Sequence, residues 1–188
     1  MPGSELYKWY TDSRSFLSRA KSGLEAFDRD RDVQALIVGA LMLRLGIEAR
    51  LFEYIYHELP RKTRDDDIAR IADYTATKLL ARLTGLNPKS MVGSTLIFTP
   101  EQGDGKPFGF KYTPMTRSLA SIHGQLGGLL HMNFYKKNRY WFLPRRRAIP
   151  NRQFILDARD LVERGIAELS EATSGTLLAH PQFAPLVD

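Results

Sequence analysis

Cysteine is absent from the 188 residues, which excludes disulfides, thiol nucleophiles and cysteine-bound zinc and fits a reducing compartment. Long apolar runs are missing too. The clean stretch that begins at Val33 meets Arg44 and Glu48, well short of the ~20 residues a membrane helix needs. The N-terminus carries no basic-then-apolar leader, so a cytoplasmic protein with no membrane partner is the expectation. Acidic residues are missing from one region. Between Gly105 and Leu156 there is no Asp or Glu, against ten basic residues: Lys106, Lys111, Arg117, Lys136, Lys137, Arg139, Arg145, Arg146, Arg147 and Arg152. That segment carries +10 in a chain of net charge +6, which leaves −4 elsewhere. Basicity so concentrated points to a surface that meets a polyanion.

With 43% apolar residues the chain can build a sizeable core, and its length suits a single domain over 1–188. The segment from Val33 to Leu59 has no proline and is apolar on almost every side, as a helix at the centre of a bundle must be. Pro60 stops it, and the Asp28–Asp32 run is expected to start it, through an aspartate cap and the favourable dipole. Leu36, Leu43, Ile47, Leu51 and Tyr54 share one face, widened by Ile37, Leu41, Phe52 and Ile55.

An amphipathic helix from Ser4 to Phe27 precedes it. A helix from about Asp65 to Leu83, stopped by Gly85, follows. Asp65, Asp66 and Asp67 suit the first turn of that helix better than a metal site. Thr95–Thr99 and Phe108–Thr113, separated by turn formers, predict a β-hairpin insertion at about 94–113. Within that turn, Gly103–Lys106 lacks the strand-then-helix context of a phosphate loop. A fourth helix is expected from Thr116 to about Lys137. Gly124, Gly127, Gly128 and His131 lie on one of its faces, where a helix that accepts the cost of glycine usually lets another backbone approach. A last helix spans about Arg152 to Ser170, with an irregular tail at about 173–188. The fold class is therefore mainly α, a bundle of about five helices with one hairpin.

Two polar groupings interrupt the central helix. Arg50, Glu53 and His57 occupy one stripe, and Arg44 and Glu48 another. A guanidinium can stabilise charge on a pentacoordinate phosphate, and an imidazole can take a ribose 2′-hydroxyl proton, so Arg50 and His57 form a minimal metal-free outfit for cutting RNA. The plainer account is a polar edge in which Glu53 pairs with Arg50 or His57. For Arg44 and Glu48, set among leucines, a structural ion pair is the better account. The stretch that contains Lys136, Lys137, Arg139, Tyr140, Trp141, Phe142 and Arg145–Arg147 suits phosphate contact and base stacking, or aromatics that anchor a loop.

A long helix that carries an arginine and, a few residues on, a histidine, within a mostly helical domain, resembles the HEPN superfamily (higher eukaryotes and prokaryotes nucleotide-binding). The segment LMLRLGIEARLFEYIYHE is similar to its Leu-Arg-x-x-x-Glu helix, and Ile122–His131 to a later helix that ends in histidine. The resemblance implies a metal-independent endoribonuclease of a toxin–antitoxin or phage-defence system, without cofactor, acting on RNA as a homodimer and held by an antitoxin or other protein partner. It implies that Arg50 is the transition-state cation and His57 the acid/base, supported by Glu53, Glu48 and His131, with Glu48 meeting His131 across the helix pair. Leu51 departs from the polar residue usual after the arginine, and binding-only members exist. A non-catalytic helical module that binds a partner or nucleic acid is the other reading.

Overall fold

A computed structural model describes residues 12–60, 62, 64–71, 75–98, 108–130 and 152–176. These form six α-helices: α1 (Ser13–Asp30), α2 (Val33–Glu58), α3 (Arg64–Ala69), α4 (Ala76–Leu86), α5 (Arg117–Leu130) and α6 (Arg152–Ser174). A hairpin of β1 (Ser94–Phe98) and β2 (Phe108–Tyr112) lies between α4 and α5. The mainly helical fold with a hairpin is thus as the sequence predicts, and no described helix is long and apolar enough to cross a membrane.

The central helix is α2. Leu36, Leu43, Ile47, Leu51, Tyr54 and Ile55 are all buried against α1, α4, α5 and α6, which surround it. Its start lies at Val33, where the acidic run signals it. Asp28 and Asp30 belong to the last turn of α1, because the apolar face of that helix runs on to the buried Phe27. Arg31 then adopts a left-handed conformation (φ 57°), and its N–H donates to the Phe27 carbonyl. Asp32 alone caps α2, accepting from the N–H groups of Gln34 (2.8 Å) and Ala35 (3.3 Å). A two-residue link therefore reverses the chain, and α1 and α2 pack as a tight antiparallel pair. Their crossing depends on glycine. A Cβ on Gly23 would lie 2.7 Å from the Ala35 carbonyl oxygen and 2.8 Å from Gly39 Cα.

The helix expected over 65–83 is two pieces. After α3 the chain turns to bury Ile71, whose N–H reaches back only three residues to Ile68 (3.0 Å). Gly85, expected to stop the helix, stays inside α4. The stop is Asn87, whose side chain accepts from Lys89 N–H (2.9 Å) and opens a 3-10 turn over Pro88–Met91.

The hairpin is antiparallel, with Ser94 opposite Tyr112 and Phe98 opposite Phe108. Tyr112 anchors it. Its ring meets Tyr54 edge-on at 5.5 Å, and its hydroxyl donates to the Ser90 carbonyl at 2.6 Å. Burial pushes both phenols up, Tyr54 to about 12. The last helix runs four residues past the expected Ser170, because Ala172 and Thr173 are still buried. Thr176 N–H then bonds to the Lys111 carbonyl (2.7 Å). The predicted tail therefore begins inside α6, and its remainder from 177 lies outside the described residues, as does the predicted end of the fourth helix after Leu130.

Candidate functional site

Arg50, Glu53 and His57 lie along one side of the C-terminal half of α2, and all three line a cleft of about 360 Å³ with Asp12, Ser13, Arg14, Gly175 and Thr176. The triad predicted from spacing is therefore brought together. Its members are not equally available. Arg50 is only 3% exposed, and most of its guanidinium is taken up by the end of α6 and by Glu53. Nε (3.1 Å) and Nη2 (2.8 Å) both donate to the Ala172 carbonyl, and Nη2 also approaches that of Gly175 (3.4 Å). Nη1 donates to Glu53 Oε2 at 2.8 Å, and the guanidinium carbon stands 4.4 Å over the Tyr54 ring. The last carbonyls of a helix have no partner within it, and that end of the dipole is negative. A buried guanidinium satisfies both requirements.

Glu53 performs the matching task at the start of α1. It accepts from Ser13 N–H (2.8 Å) and Ser13 Oγ–H (3.0 Å). Through Arg50 and Glu53, the first helix's N-terminus and the last helix's C-terminus are fastened to α2 at one point. Tyr54 reinforces it, its hydroxyl lying 2.5 Å from the Thr113 carbonyl and 3.0 Å from that of Ala172. His57, in the last turn of α2, is half-buried at the cleft, with its ring edge-on to Tyr56.

Arg14 was not singled out by the sequence. It is exposed, lines the same cleft and donates from Nη2 to the Thr173 carbonyl at 3.1 Å. Its only sequence signal was its place within three residues of an Asp-Ser-Arg-Ser start, which carries no long-range information.

The second predicted pair stands on the other side of α2, facing α5. Arg44 Nε donates to Glu48 Oε1 at 3.3 Å, the ion pair that the spacing implies. Glu48 also reaches a histidine of α5, but it is His123, with Nε2 at 2.6 Å from Glu48 Oε1. His123 is turned into the seam, buried beside Ile122 and Leu126. The partnership expected of Glu48 with His131 falls outside the described residues. The close approach expected of the glycine face occurs at one position only. A Cβ on Gly127 would come within 2.9 Å of Arg44 Nη1, whereas Gly124 and Gly128 have nothing within 4 Å among the described residues. What comes close is a side chain rather than a backbone.

Lys136, Lys137, Arg139, Arg145, Arg146 and Arg147 lie outside the described residues, with the adjacent aromatics. Among the described residues no three His, Asp or Glu side chains stand together as a metal-binding set. Compared with known proteins, the chain matches no family model, no curated protein and no solved structure.

Proposed function

We propose that this chain is a HEPN-like RNA-directed protein whose sharper activity is metal-independent endoribonuclease cleavage at the His57 cleft. The observation that carries the reading is that a histidine and two arginines converge on one cleft at the end of the central helix, on a chain with a +10 segment elsewhere. In the reaction, neutral His57 takes the proton of a ribose 2′-hydroxyl. The 2′-oxygen forms a bond to the adjacent phosphorus, the bond from phosphorus to the 5′-oxygen breaks, and that oxygen collects a proton from water. The products are a 2′,3′-cyclic phosphate and a 5′-hydroxyl end. This chemistry needs no cofactor and belongs in the cytoplasm, where an antitoxin-like partner would restrain it.

Purified protein with excess chelator should cut single-stranded RNA to those ends, and His57→Ala should lower the rate by 10²–10⁴, the usual worth of a positioned acid/base. RNA left intact at micromolar protein would reject the nuclease. The sequestration of Arg50 favours a second reading, an RNA-binding module without catalysis. RNA retention without cleavage would select it.

A homodimer is part of the proposal. Val38, Leu41, Leu45, Ala49, Phe52 and Tyr56 recur at helical spacing along one side of α2, where, among the described residues, Val38, Leu41 and Tyr56 are at 53%, 41% and 40% exposure. A two-fold axis near Ile47 would set Leu45 against Ala49, and Val38 against Tyr56, of the second copy. Each pair matches large to small and opposes the helix dipoles.

A further inference from the structure

We infer that Arg14, not Arg50, is the cation that contacts the RNA phosphate at the His57 cleft, and that Arg50 is a positioning residue. The inference rests on the RNA-directed reading and reassigns a role within it. Contact with a phosphate needs unused N–H donors that a ligand can reach. Arg50 is poorly placed for this, since it is buried, directs four of its five N–H groups to the Ala172 and Gly175 carbonyls and Glu53, and is neutralised by that carboxylate at 2.8 Å.

Arg14 differs on each count. It is exposed, and no carboxylate among the described residues pairs with its guanidinium. Its one bond, from Nη2 to the neutral Thr173 carbonyl, orients the group without cancelling its charge. The remaining N–H groups are left for the two-point contact with phosphate oxygens that guanidinium geometry favours. The two carboxylates of the cleft are otherwise engaged. Glu53 is held by Ser13 and Arg50, and Asp12 caps α1, accepting from Arg14 N–H (2.9 Å) and Ser15 Oγ–H (3.3 Å). The positioning chain is continuous. Arg50 holds Ala172 in the last turn of α6, the next residue's carbonyl holds Arg14, and Glu53 holds Ser13 beside it. Arg14 thus stands at the junction that Arg50 and Glu53 build.

The test uses a fluorescent single-stranded RNA with 2′-O-methyl riboses, which cannot be cleaved by 2′-oxygen attack, titrated at several salt concentrations. Arg14→Gln should weaken binding about tenfold and reduce the salt slope by roughly 0.7, the value for one single-strand phosphate contact, and Arg14→Lys should restore the slope. A purely structural Arg14 would change thermal stability and leave the slope alone. Unchanged affinity and slope in Arg14→Gln, or no binding by the wild type, would overturn the assignment. Cleavage of unmodified RNA in chelator is read in parallel. Wild-type binding without cleavage removes the nuclease but leaves Arg14 in place. Cleavage that survives intact in Arg14→Gln removes Arg14 but leaves the nuclease.

Discussion

Arg50 shows how one side chain can meet a motif and still be claimed by the fold. Its spacing from His57 is what a catalytic pair requires, yet four of the five N–H groups of its buried guanidinium already lead to a carbonyl or to Glu53. Arg50→Ala would leave Glu53 half-buried without its cation and the Ala172 carbonyl without its strongest donors. Breaking a buried pair in this way costs about 3–5 kcal/mol, which urea unfolding should report. Arg50→Lys should recover only part of it, because an ammonium cannot span both the carbonyl and the carboxylate. A rate loss with no loss of stability would mean that Arg50 acts on substrate instead. A pairing of Glu53 with Arg50 or with His57 was readable in the sequence. The destination of Arg50, 122 residues later at Ala172, was not.

For the helices, the informative residues are those where the backbone approach changes the expected sign of a substitution. Gly23→Ala should cost about 1–3 kcal/mol, since its Cβ would press on the backbone of α2 and force the helices apart. Gly124→Ala should stabilise by up to about 1 kcal/mol, since nothing among the described residues lies within 4 Å and alanine is the better helix former. Thermal melts of the two variants should move in opposite directions. Between α1 and α6, Arg159 binds Asp28 through Nε (2.8 Å) and Nη2 (3.0 Å) and also holds Glu163. Its hydrogen bonds hold the Asp28 carboxyl below its usual range. A lowered carboxylate stabilises the fold above its unfolded pKa of about 3.9 and loses that contribution as pH falls through the lower folded value. Asp28 is accessible, so solvent and salt keep the effect under about 1 kcal/mol. The stability difference between wild type and Asp28→Asn should therefore be present at pH 7 and shrink as the pH falls below the unfolded value, as followed by urea unfolding. A difference that persists there would place the cause outside the ion pair.

At the scale of the whole molecule, the side of α2 that carries Val38 and Leu41 is exposed among the described residues. If a second copy covers it, Leu41→Glu, at a site already 41% exposed, should preserve the helical circular dichroism of the chain while halving the mass measured by sedimentation. A wild type that sediments as a monomer at 100 µM would reject the homodimer.

By itself the sequence determined the helical class, the core face of α2, the hairpin and the Arg44–Glu48 ion pair of the central helix. Each follows from interactions within one segment, where apolar period, turn chemistry and i,i+3 or i,i+4 spacing act over a few residues. Only the tertiary structure decided that Asp32 rather than the whole acidic run caps α2, and that the helix after Pro60 divides so that Ile71 can be buried. It alone chose His123 for Glu48, and separated a sequestered Arg50 from an accessible Arg14. Those outcomes turn on which helix ends meet, and unsatisfied terminal N–H and C=O groups take whichever partners the packing brings to them.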